Sequence, residues 1–129
     1  MPHTVAVDFD GTIYAGPFTA ADEIPGEPLP GAIAWLKSEL ARGHVLIIHT
    51  CRLTSSHKGC TFPLEAHRDP FVVRDAIATW LVLHGITHRE LHRLQFWLYP
   101  GKPFADEYLD DKAVRFEGTY PQRAQVQHD

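Results

Sequence analysis

Two short apolar runs constrain this chain more tightly than any other feature. TVAVDF at residues 4–9 and HVLIIHT at residues 44–50 are rich in Val and Ile, and each is brief for a helix. Runs of this kind, bounded by acidic, polar and glycine residues, fit strands buried on both faces. Between them, residues 30–42 place Ala32, Ile33, Leu36 and Leu40 at helical spacing, and Gly43 follows as a stop. Strand, helix, strand over so short a span lays two strands parallel with the helix packed across them.

The alternation continues. Asp69-Pro70 is a helix start, with Asp as N-cap and Pro at the first helical position. Val72, Val73, Ala76, Ile77, Trp80 and Leu81 then predict a helix over 70–84, ended by Gly85. LQFWLY at 94–99 predicts a third strand, EYLDD at 107–111 a fourth and AVRFEG at 113–118 a fifth. The sum is an α/β domain over residues 1–118 with a mainly parallel sheet, followed by a polar tail, 119–129, that frays. One connection resists this scheme: only PGKPFAD, residues 100–106, separates the third strand from the fourth. That is too little for a crossover helix, although fully extended it reaches roughly 23 Å and allows a direct crossing. Gly and Pro interrupt residues 11–31 repeatedly and predict a loop or small flap at 14–28. Residues 51–69 lack periodicity and predict a second loop.

Composition narrows the function classes. A chain of 129 residues, 44% hydrophobic and 22% charged, suits one globular domain. The net charge of -4 argues against nonspecific nucleic-acid binding as its main task. No apolar run approaches the roughly 20 residues that span a bilayer, so no membrane partner is expected. The chain enters its first strand at once, leaving no room for a signal peptide, and Cys51 and Cys60 are too few for a disulfide framework. The expected setting is cytoplasmic.

In an open parallel sheet, functional groups collect past the carboxyl ends of the strands. There the sequence puts Asp8 and Asp10, then Thr50, then Asp110 and Asp111, with Lys102 on the loop leading to the last pair. Alternation points Asp8 and Asp10 to one side and Phe9 to the other. Gly11 permits a sharp turn that brings backbone N–H groups near a bound anion. Four carboxylates in one cleft call for a cation, and oxygen-only ligands favour Mg²⁺. Asp8 is then a candidate nucleophile, and Asp10 a proton donor to the leaving alkoxide and later a base toward water. Thr50 and Lys102 are candidates to hold phosphoryl oxygens.

These motifs resemble those of the haloacid dehalogenase superfamily. DFDGT is similar to its Asp-x-Asp-x-Thr motif, LIIHT to the strand-end Thr, and GKPFADEYLDD to a Lys followed by paired acids. The resemblance spans residues 4–116, in order. It implies a Rossmann-like three-layer sandwich, Mg²⁺ dependence and phosphohydrolase activity through an aspartyl-phosphate. By position it implies Asp8 as nucleophile, Asp10 as acid/base, Thr50, Lys102 and Gly11 at the phosphate, and Asp8, Asp10, Asp110 and Asp111 at the metal, Asp10 through its backbone carbonyl. With only a proline-rich loop and one helix after the first motif, the chain is similar to capless members.

Other features carry less. Cys51, His57, Cys60 and His67 match no strong zinc-ligand spacing. The order of His88, Glu90 and His92 is not that of a metalloprotease helix, and predicts a solvated helix end. Trp80 and Trp97 are read as core packing, and Arg52 and His57 as side chains overhanging the pocket to contact substrate. Two further functions stay open: phosphoryl transfer to an alcohol, and a non-catalytic phosphate- or Mg²⁺-binding module. The phosphorylated substrate is unidentified, and an uncapped site leaves room for closure by a homo-oligomer.

Overall fold

A computed structural model describes residues 2–54, 66–99 and 101–111. It holds four strands and three helices in the order β1 (Thr4–Asp8), α1 (Ala32–Ala41), β2 (Val45–His49), α2 (Pro70–Leu83), α3 (His88–Leu91), β3 (Leu94–Phe96) and β4 (Glu107–Leu109). All four strands are parallel, in the order β3-β2-β1-β4. This is a Rossmann-like α/β sheet flanked by helices. The expected fifth strand at 113–118 and the boundary at residue 118 lie outside the described residues. No helix among the described residues is long and apolar enough to cross a membrane.

Register fixes which residues share a face. Val5 pairs with Leu46 and Val7 with Ile48, while Leu46 pairs with Leu94. These five side chains form one buried cluster with Leu36 and Leu40 of α1 and with Val73, Ile77, Trp80 and Leu81 of α2. Both long helices therefore cover the same face. The placement follows from handedness: β1, β2 and β3 succeed one another in one direction, so right-handed crossovers put α1 and α2 on one side. The return from β3 to β4 runs the opposite way and must pass over the other face.

It does so without a helix. Lys102, Pro103 and Ala105 of this link meet Tyr108 of β4, which register pairs with Ala6 of β1. The Tyr108 hydroxyl donates to the Pro103 carbonyl and accepts from the Ala105 N–H, and Pro103 is buried. Where a three-layer sandwich was expected, the described layer on this side is this extended segment. The link is longer than PGKPFAD because β3 ends at Phe96 rather than Tyr99. Trp97 makes one more ladder bond, to the Ile48 carbonyl, and then the chain leaves the sheet. Trp97 is half-buried, outside the core cluster, and donates to the Gly101 carbonyl, whereas it was expected to pack in the core.

Local chemistry explains the helix ends. The Asp69 carboxylate accepts from the Phe71 N–H at 2.8 Å ahead of Pro70, as the sequence predicts. The Thr87 and Glu90 capping box starts α3, so His88 and Glu90 belong to a short exposed helix. Helix α1 begins two residues later than the spacing predicts, at Ala32, because Gly31 sits in the left-handed region with φ 83°.

Between β1 and α1 the chain makes a flap. Tyr14 pairs with Pro28, and Ala15 donates to the Glu27 carbonyl. Inside this hairpin, Gly16 and Gly26 approach so closely that a Cβ on Gly26 would lie 2.3 Å from the Gly16 Cα. The stacked rings of Phe9 and Tyr14 meet Trp80 edge-on, and the Trp80 indole N–H donates to the Gly26 carbonyl at 3.0 Å. Trp80 is thus a core residue, as expected, and also the post to which the flap is tied.

Candidate active site

Asp8 is the last residue of β1 and pairs in register with His49, the last of β2. On its other side Val7 pairs with Leu109, so Asp110 follows β4 at the level of Asp8. Parallel strands ending together thus assemble acids far apart in sequence. Carboxylate oxygens of Asp8, Asp110 and Asp111 all lie within 4.8 Å of one another. Burial, reinforced by the charge of Asp110, pushes the Asp8 carboxyl from 3.8 to about 7, against a hydrogen bond from the Phe9 backbone that favours its ionised form. Asp10 and Asp111 add smaller upward contributions. No ion pair to Asp8 exists among the described residues.

His49 borders this cluster. Its Nε2 is buried and has no hydrogen-bond partner among the described residues. Burial lowers its pKa; Asp110 opposes that shift and Lys102 adds to it. Lys102 is therefore close enough to act on the site, with its ammonium 5.4 Å from the centre of the Tyr108 ring.

Asp10 has a different environment. Its carboxylate accepts from Arg52 Nε at 3.0 and 2.9 Å and from Nη2 at 2.8 Å, a forked ion pair. The Thr50 hydroxyl donates to the same carboxylate at 3.4 Å and accepts from the Arg52 N–H at 3.2 Å. Of the four carboxylates expected to share one cleft, that of Asp10 is committed to Arg52, and the acid cluster comprises Asp8, Asp110 and Asp111.

Arg52 also departs from expectation. It is 0% exposed, which leaves no surface with which to overhang a pocket. Its Nη1 lies within 3.3 Å of the carbonyls of Ala20, Ala21 and Glu23 in the flap. The guanidinium carbon is 5.7, 5.2 and 4.6 Å from the ring centres of Phe9, Tyr14 and Phe18. A buried guanidinium needs its N–H groups satisfied and its charge balanced, and Asp10 with the three carbonyls does both.

Gly11 is placed by a close approach. With φ 80°, it sits where an added Cβ would be 2.2 Å from an Asp111 carboxylate oxygen. Its N–H donates to the Tyr14 carbonyl at 2.9 Å, so it closes the sharp turn expected of it. Thr12 completes the junction by accepting from the Asp111 N–H at 3.2 Å. Thr12 and His49 were both missed as site residues. Each stands inside a quoted motif, DFDGT or LIIHT, but only strand register shows what it faces. His57 and Cys60 lie outside the described residues.

Geometry thus divides the expected residues into two adjoining groups. Asp8, Asp110 and Asp111 form an all-oxygen set with excess negative charge, suited to a hard divalent cation. Asp10, Thr50 and Arg52 form a hydrogen-bonded group beside it. Compared with family models, curated proteins and solved structures, the chain finds no match.

Proposed function

We propose that this protein is a Mg²⁺-dependent phosphatase working through an aspartyl-phosphate on Asp8, a capless enzyme of the haloacid dehalogenase type. The observation that carries the reading is the Asp8, Asp110 and Asp111 cluster at the ends of neighbouring parallel strands. Burial and the neighbouring carboxylates raise the proton affinity of Asp8, a shift that a bound cation would offset. Asp8, Asp110 and Asp111 are the residues that would hold the ion. Bound there, Mg²⁺ would supply the charge that keeps Asp8 ionised and offsets that of the phosphoryl oxygens.

The chain's own groups account for the rest. An Asp8 carboxylate oxygen attacks phosphorus and the bond to the leaving oxygen breaks, giving a mixed anhydride on Asp8. Asp10, two residues further along the chain, gives a proton to the departing alkoxide and then takes one from the water that hydrolyses the anhydride. Lys102 contributes positive charge to the transferring group, and the Thr50 hydroxyl a hydrogen bond once it turns from Asp10 to a phosphoryl oxygen. A cytoplasmic phosphate ester of unidentified structure is the substrate in this reading.

Purified protein with Mg²⁺ is expected to hydrolyse a generic aryl phosphate, and Asp8→Asn to abolish turnover. Robust activity in Asp8→Asn overturns the nucleophile assignment. Inactivity of the wild-type protein across a broad phosphate panel, with Mg²⁺ binding retained, overturns the enzymatic reading.

A further inference from the structure

Arg52 is fully buried and joins three parts of the chain: the loop after β2, Asp10 and the flap. An isolated Asp10 side chain has free rotation about two bonds and, with few neighbours, would sample several positions. The fork on Nε and Nη2 removes that freedom, because two parallel N–H···O bonds fix both the plane and the direction of the carboxylate. The fork itself is held from behind. Three flap carbonyls hold Nη1, and the rings of Phe9, Tyr14 and Phe18 surround the guanidinium.

We propose that Arg52 is the positioning residue for Asp10, holding its carboxylate for proton transfer and making that transfer depend on the seating of the flap. The inference rests on the phosphatase reading. When Asp10 gives its proton to the departing alkoxide, the O–H bond breaks, a new O–H bond forms on the alcohol, and negative charge remains on the carboxylate. Arg52 already lies where that charge develops, so the carboxylate left behind is paired as it forms. Lys at this position keeps the charge and loses the fork.

A proton donor matters most when the leaving group is a poor one. Substrates with alkyl leaving groups need the proton; p-nitrophenolate leaves without it. General acid–base catalysis contributes about 10²–10⁴-fold where it operates. Arg52→Lys is therefore expected to lower kcat about 100-fold on an alkyl phosphate and less than about 5-fold on p-nitrophenyl phosphate, with KM little changed in both. Asp10→Asn gives the same contrast, and the double variant is no worse than Asp10→Asn alone, because both substitutions remove one function. Phe18→Leu thins the cage at a partly exposed position and keeps Arg52 in place. It gives a weaker version of the same leaving-group contrast, and serves if Arg52→Lys does not fold by far-UV circular dichroism.

Equal losses on the two substrates for folded Arg52→Lys, or for Phe18→Leu, overturn the inference while the phosphatase reading stands. So do losses that add in the double variant. A wild-type protein with no phosphatase activity overturns both.

Discussion

At the scale of single residues, Asp8 carries the clearest physical signature. Its pKa of about 7 in the folded chain, against 3.8 ordinarily, means the native state holds a proton the unfolded chain has released between those values. Linkage then lowers native stability as pH rises from about 4 to about 7, and the deficit persists above. Because Asp8 is only half-buried, screening reduces the full shift, and the deficit is on the order of 2 kcal/mol. Asp8→Asn removes it. Without divalent metal the variant is expected to be more stable than the wild type at pH 8 and to lose that advantage near pH 4, measured by urea unfolding. Mg²⁺ should raise wild-type stability strongly at pH 8 and weakly at pH 5, where Asp8 keeps its proton. Gly11 is the second residue whose role is specific. Gly11→Ala meets the Asp111 carboxylate and an unfavourable φ together, so it is expected to weaken Mg²⁺ binding and lower the melting temperature. Calorimetric titration with Mg²⁺ tests the first effect.

At the scale of elements, the flap and the β3–β4 link decide how the site is built. The flap's base closes only because Gly16 and Gly26 lack side chains. Gly26→Ala forces the strands apart at a packed contact, with an expected loss of about 1–3 kcal/mol. Trp80 donates to the Gly26 carbonyl, so near-UV circular dichroism should change with it. Much at this scale is legible in sequence. Asp69-Pro70 and Gly85 bound α2 because caps act locally, and Val and Ile runs mark β1 and β2. The end of β3 is not legible, since LQFWLY stays apolar while the chain has already turned away to cross the sheet. Arg52 is misread for a related reason: its partners Asp10, Ala20, Ala21 and Glu23 lie 29 or more positions earlier, and nothing local to TCR records them.

At the scale of the molecule, the strand order gathers the acids and the helices make the core. Sequence alternation yields the parallel α/β class, while the order β3-β2-β1-β4 follows from it only once the handedness of crossovers is applied. The same order brings Asp110 beside Asp8, which motif order alone implies only through resemblance. The core that supports this arrangement rests on one helical face. Ile77 of α2, fully buried in the core cluster, is a fair probe of it. Ile77→Ala is expected to cost about 2–5 kcal/mol in urea unfolding and to leave the kcat of the folded fraction near that of the wild type.

The central claim is that phosphate passes through a covalent bond to Asp8. Rapid acid quench of wild-type protein turning over p-nitrophenyl phosphate with Mg²⁺, followed by borohydride reduction, converts an aspartyl-phosphate to homoserine. Peptide mass spectrometry is expected to find homoserine at position 8, only when substrate and Mg²⁺ are both present, and none in Asp8→Asn. Turnover without homoserine at position 8, or homoserine at another aspartate, contradicts the account.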